Sequence, residues 1–310
     1  MATKENDGYI DAQLRKAISI KSTPKNKIEV EKMLEWVGDQ LKQYANKTKH
    51  THNITYHKIP GTKKKNGKLS PVLTCEIGHD PDLMTLLVYG YVDVRFAADR
   101  KKSSRHNSFN LTKKFGQLYG QGVSDSKGPI VAFLCALDVI ANLKTTFKED
   151  NHKINVNLKF LFEGMGEDGN IGVRKLLYSM KDSDFLRNVD FVTALSPPGM
   201  DHPLHYNYEE ARQAIKKVYG PSAGRYLIRE GGPIHVIDIL QKITGKHVIS
   251  FPIGPEDDYK HNSYHDERLS VKNFIDGISV YVTYLLGLGN LYISPKMYSR
   301  KHIIISIMNI

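Results

Sequence analysis

Residues 86–92 read Leu-Leu-Val-Tyr-Gly-Tyr-Val with polar sequence on both sides, and this run constrains the fold more than any other feature. A strand with one wet face alternates apolar and polar residues, because successive side chains point to opposite faces. An unbroken apolar run instead suits a strand covered on both faces, as in parallel sheets sandwiched between helices. The flanking patterns supply the other layers. Val30, Met33, Leu34, Val37, Leu41 and Tyr44 recur at spacings of three and four, which predicts an amphipathic helix over 28–46. Val72–Ile77 reads as a strand, and Ile154, Val156, Leu158 and Phe160 alternate as a strand does. Pro129 suits the first turn of a helix carrying Ala132, Leu134, Leu137 and Ile140. Further helices are expected over 171–180, 209–218 and 271–286, with a short strand at 191–195. Residues 95–117 are expected to form one long loop, a kind of segment that is usually functional.

Strands alternating with helices predict an α/β fold, a mostly parallel sheet with helices on both faces. We expect one domain over 1–290, with 291–310 unassigned. In such sheets ligands bind beyond the carboxyl ends of the strands. Asp93 follows a strand, Asp125 precedes a helix and Glu167 sits in a glycine-rich turn after a strand, so all three are expected in one region.

Composition excludes several classes. Among 310 residues, 40% are hydrophobic and 25% charged, near globular averages, which argues against disorder, collagen and coiled coil. Two cysteines, Cys75 and Cys135, rule out a disulfide scaffold, and both lie in apolar runs as buried thiols of a reducing compartment. The start, MATKENDGYIDAQ, has no apolar segment of the signal-peptide kind, and no run is long enough to cross a membrane. A cytoplasmic protein is the expectation. The formal net charge of +11 is concentrated in Lys63–Lys65 and in RKKSSR at 100–105, which read as solvated loops rather than a specific nucleic-acid surface.

Carboxylates converging on one crevice repel each other, and a cation is the natural way to keep them ionised together. Carboxylate with imidazole suits zinc or manganese. Five ordered segments make the comparison specific: YGYVDV at 89–94, LYGQGVSDSKGP at 118–129, FEGMGEDGN at 162–170, REGGPIHV at 229–236 and DDYKHNSYHDERL at 257–269. Together they resemble the carnosinase-like branch of the aminoacylase/carboxypeptidase zinc metallopeptidases, which includes the cytosolic non-specific dipeptidase. The resemblance implies a zinc-exopeptidase-like catalytic domain. It also implies a two-metal centre that activates water against a peptide bond, with a glutamate as general base.

The departures from the family pattern are concentrated at the centre. A first-metal histidine falls at Tyr91, the general-base glutamate at Gly166 and a first-metal aspartate at Ser196. The metal-bridging aspartate is retained as Asp125 and the second-metal glutamate as Glu167. The second-metal histidine falls at His261. Counted back from Glu267, that position is instead Ser263, with His265 beside it. His247 has no motif support. Asp93 matches a residue that orients the missing histidine, a role emptied by Tyr91, which leaves it a relic. Glu163 and Asp168 are the nearby acids that might have replaced the base, but Glu163 matches another family position and Asp168 replaces a serine. Gly231 and Gly232 match a substrate-binding turn, where Pro233 removes one N–H donor.

What remains implies one ion at most, zinc or manganese, on Asp125, Glu167 and His261. The family's lid domain has no counterpart near 203–209, which argues against a lid-mediated dimer. The expectation is a dipeptidase-like hydrolase that is impaired or inactive. The alternative is a non-catalytic protein that binds a small peptide or a partner.

Overall fold

The computed structural model describes residues 4–61, 69–95, 108–146, 154–195, 206–223, 235–251, 253 and 267–290. Strands β1 (His52–His57), β2 (Val72–Ile77), β3 (Met84–Tyr91), β6 (Val156–Glu163), β7 (Phe191–Ala194) and β8 (Val248–Ser250) form a six-stranded sheet in the order β1-β2-β6-β3-β7-β8. The β6–β3, β3–β7 and β7–β8 pairs are parallel, while β1–β2 and β2–β6 are antiparallel. The expected α/β architecture is therefore present, with an antiparallel edge.

The apolar run 86–92 is buried along its length because helices cover both faces. Leu86 and Val88 face a core with α1 (Lys4–Ser19), α2 (Lys27–Thr48), α3 (Lys127–Thr146) and α8 (Val271–Asn290). Leu87 and Tyr89 face a second core with α4 (Ile171–Ser179), α5 (Asp184–Arg187) and α7 (His235–Thr244). Helix α6 (Tyr206–Tyr219) adds Ala211 and Ala214 to the first core. All six periodic apolar residues of α2 are buried. Strand β6 is also buried throughout, although Asn157 and Lys159 supply the polar half of its alternation. Their polar ends are satisfied: Asn157 Nδ2 donates to the Asp80 carbonyl at 2.7 Å, and Lys159 Nζ to the carbonyls of Asp184 at 2.8 Å and Phe185 at 3.0 Å.

Two features depart from expectation. The expected loop over 95–117 contains, in its described part, a strand of a second sheet: β4 (Thr112–Lys114) turns into β5 (Gln117–Tyr119), which pairs with β9 (Arg268–Ser270). Strands this short carry too few residues to show a period. Helix α1, not among the expected helices, buries Leu14, Ala17 and Ile18 in the first core, and Lys127 Nζ donates to the Ala17 carbonyl at 3.0 Å and also to that of Ile20. Cys75 and Cys135 are buried free thiols, and burial pushes both up to about 12. Among the described residues, no helix is long and apolar enough to cross a membrane.

The turn before α3 is drawn tight by a glycine. Gly128 N–H donates to the Gly122 carbonyl at 2.9 Å, and a Cβ on Gly128 would fall on the Val123 carbonyl, 2.8 Å from its carbon. The obstacle is backbone and cannot rotate away. Gly128→Ala should therefore cost about 1–3 kcal/mol, as overpacking of a tight site does, read as a lowered urea midpoint with an unchanged slope.

Candidate active site

The carboxyl end of β3 is the focus, because β3 has β6 on one side and β7 on the other. Ligands bind beyond such strand ends. The last rung pairs Tyr91 with Glu163. Beyond it, Val92 N–H donates to the Glu163 carbonyl at 2.8 Å and Val94 N–H to the Ser22 carbonyl at 2.9 Å. These bonds fix the path on which Asp93 and Arg95 lie.

Asp93 is fully buried, and it has work of its own. Its Oδ1 accepts from Gly166 N–H at 2.7 Å and its Oδ2 from Glu167 N–H at 2.9 Å. It ties the exit of β3 to the turn after β6, a structural role for a residue that the sequence reading treats as the relic of a ligand-orienting one. Sequence could not show this, because the partners are backbone amides. Burial pushes its carboxyl up to about 7, against the opposing pull of those amides.

Asp125 is presented by Glu267, a residue that sequence reading used only as a counting mark. The β5–β9 pairing sets Glu267 beside the loop before α3. Its Oε2 accepts from Gly122 N–H at 2.7 Å. Its Oε1 accepts from the N–H groups of Ser124 at 2.8 Å and Asp125 at 3.0 Å, and from Ser124 Oγ at 2.9 Å. One carboxylate thus shapes the whole loop. Asp125 Oδ1 accepts a hydrogen bond from the Tyr91 hydroxyl. Burial pushes the Asp125 carboxyl up to about 7, the Tyr91 hydrogen bond pulls it down, and the negative charges of Glu167 and Glu267 push it further up. Burial, followed by the charge of Asp125, drives the Tyr91 phenol well above its ordinary range.

Glu167 Oε2 accepts from Arg95 Nε at 2.9 Å. Arg95 is a participant that sequence reading missed. Nothing in its spacing marked it, since the pair spans 72 positions of chain. Asp93, Asp125 and Glu167 are therefore brought together, with Tyr91 and Arg95 between them.

Gly166, the position the resemblance assigns to the general base, packs directly against Tyr91. A Cβ at 166 would lie 2.6 Å from Tyr91 Cβ and closer still to its ring. The turn has closed onto Tyr91, and only a residue without a side chain allows that approach. The two departures are thus one packing event. The two candidate replacements for the base are placed differently. Asp168 is exposed on the turn. Glu163 Oε1 accepts from Tyr89 Oη at 2.6 Å and Asn170 Nδ2 at 2.8 Å in the core. His247 immediately precedes β8, which places it at the amino ends of the parallel strands, away from the three acids. Ser196, Gly231, Gly232, Pro233, His261, Ser263 and His265 lie outside the described residues, as do Lys63–Lys65 and 100–105.

A model of the Peptidase family M20/M25/M40 matches residues 88–287. The chain belongs to this family. It is 35% identical over 124 residues to the Beta-Ala-His dipeptidase of Mus musculus, a match covering 40% of this chain and 23% of the mouse protein. It is 27% identical over 188 residues to the Cys-Gly metallodipeptidase dug1 of Schizosaccharomyces pombe, covering 59% of this chain and 37% of the relative. The matched part thus spans well under half the length of these curated relatives. In fold it resembles human carnosine dipeptidase 1, with TM-score 0.79, 16% identity and coverage of 93% of this chain and 99% of the other. The dipeptidase Dug1p of Saccharomyces cerevisiae gives TM-score 0.78, 16% identity and coverage of 92% and 96%. This family member has the zinc-exopeptidase-like α/β fold that its motifs implied.

Membership implies a metal cofactor, and the residues present do not fit a two-ion centre. Tyr91, where the family resemblance leads one to expect an imidazole, presents a protonated phenol that donates to Asp125 Oδ1. Gly166 has no side chain, and Arg95 puts a cation on Glu167. Among the described residues, no group of three or more histidine, cysteine, aspartate or glutamate side chains is arranged to hold a metal.

Two predictions follow from this packing and from the buried acid behind it. Gly166→Ala should destabilise the fold by about 1–3 kcal/mol. Tyr91→Ala removes the ring that blocks the new methyl, so the double variant should be more stable than the sum of the singles by at least ~0.5 kcal/mol. Strict additivity in denaturant melts would contradict the coupling. For pH, burial pushes Glu163 up to about 8, above its ordinary 4.5, and its buried Oε2 has no hydrogen-bond partner. A raised acid binds its proton more tightly in the folded chain. Its contribution is complete below about 4.5 and lost as pH rises through about 8. The melting temperature should fall between pH 5 and 9, and less steeply in Glu163→Gln.

Proposed function

We propose that this chain is a dipeptidase-like member of its family in which hydrolysis by metal-activated water has fallen to near background. The observation that carries the reading is the closure of the turn at Gly166 onto Tyr91. It removes the general base and a first-metal ligand together. Loss of a general base alone costs about 10²–10⁴ in rate. Loss of one ion of a two-metal clamp removes further stabilisation of the developing oxyanion.

Asp125 and Glu167, with His261, would hold at most one ion, zinc or manganese. A metal bound there would supply Lewis-acid polarisation of a substrate oxygen. The chain's own residues supply the rest. Asp93 orients the amides of Gly166 and Glu167, Glu267 orients the Asp125 loop, and the Tyr91 ring excludes water from the place of the base. The reading includes one catalytic-type domain over 1–290 without a lid near 203–209, and a reducing, cytoplasmic setting in keeping with the two buried thiols. The tail 291–310 lies outside the described residues.

A second reading is favoured by the integrity of the scaffold around the lost chemistry. Asp93 and Glu267 still shape the cleft through buried hydrogen bonds. Such a cleft suits a small peptide bound without cleavage.

The test is hydrolysis of the dipeptides β-Ala-His and Cys-Gly with excess zinc or manganese. The expected rate is indistinguishable from that without protein, and turnover a hundredfold above that background would overturn the reading. The combined variant Tyr91→His, Gly166→Glu, Ser196→Asp is expected to exceed the wild-type rate, whereas each single reversion leaves the rate at background.

A further inference from the structure

We infer that Arg95 occupies the role of the divalent cation in this cleft, neutralising Glu167 from within the chain and competing with any ion that approaches Asp125 and Glu167. This rests on the reading that these two acids are the remnant of an ion site. Each already has one oxygen engaged by a donor of the same chain. Glu167 Oε2 takes Arg95 Nε at 2.9 Å, and Asp125 Oδ1 takes the Tyr91 hydroxyl. A metal ion needs carboxylate lone pairs, and each N–H or O–H donor already takes up one of them.

Charge strengthens the competition. A guanidinium keeps its proton at any ordinary pH. The approaching ion would meet a like charge already seated on one of its ligands. The position of Arg95 is built in, since Asp93 holds the turn amides and Val94 N–H donates to the Ser22 carbonyl at 2.9 Å, two anchors immediately before Arg95. Glu167 is the less free partner, with its side chain 12% exposed against 54% for Arg95. The guanidinium therefore closes the site from its mouth and leaves a graded competition rather than an absolute block. Tyr91 acts in the same sense from below, with a proton donor where an imidazole would offer a lone pair.

Titration calorimetry of the full chain with manganese chloride and with zinc chloride tests this without any turnover. Arg95→Gln should bind one ion at least tenfold more tightly than wild type, and its melting temperature should rise with manganese and fall with EDTA. Arg95→Lys keeps the charge and should stay near wild type. Arg95→Gln combined with Glu167→Gln should lose the gain, which locates the ion at Glu167. Equal affinity in wild type and Arg95→Gln overturns the inference, and so does absence of binding in both, because something other than Arg95 would then exclude the ion. A gain that survives Glu167→Gln also overturns it. Dipeptide hydrolysis by the wild type would sink the impaired-hydrolase reading separately, since the difference in binding is measured with no substrate present.

Discussion

The Asp93 carboxylate is the constraint on which the centre of this molecule depends. It is buried at the end of a parallel strand, where an unpaired acid would be costly. Its two oxygens are matched to two consecutive amides of the turn after the neighbouring strand. That match sets the height and tilt of Gly166 and Glu167 over the sheet. Glu267 does the same for the loop carrying Asp125, again by accepting from consecutive amides. Two buried carboxylates thus place the other two acids of the cleft. The scaffold depends on backbone hydrogen bonds, which tolerate substitution of the side chains displayed on it.

That tolerance explains how the chemistry can be altered while the architecture stands. With Gly166, the turn can settle directly against Tyr91. The ring then fills the volume of a glutamate side chain, and its hydroxyl satisfies Asp125. Arg95 satisfies Glu167 on the solvent side. Each contact brings a donor to one of the converging carboxylates, which need positive charge or protons nearby.

Much of this was legible in the residues. The run 86–92 announced a doubly covered strand, and α2 was visible in its spacing. The five motifs identified the family, and the substitutions at Tyr91 and Gly166 were readable against them. The hairpin at 112–119 was not, because three-residue strands show no period, and the grip of Lys127 on the end of α1 spans 110 positions of chain. The hydrogen bonds of Asp93 were not legible either, since its partners are amides with no signature in sequence.

The sequence by itself determined that the strand at 86–92 is buried on both faces, which family the chain joins and which acids remain at strand ends, because these depend on local pattern and motif order. Only the tertiary structure decided what those acids do. The partnerships of Arg95 with Glu167 and of Glu267 with the Asp125 loop span 72 and 142 positions of chain. The collision between Tyr91 and any side chain at 166 is likewise a matter of volume between two strands' ends. Distances of that kind exist only once the sheet has brought the segments together.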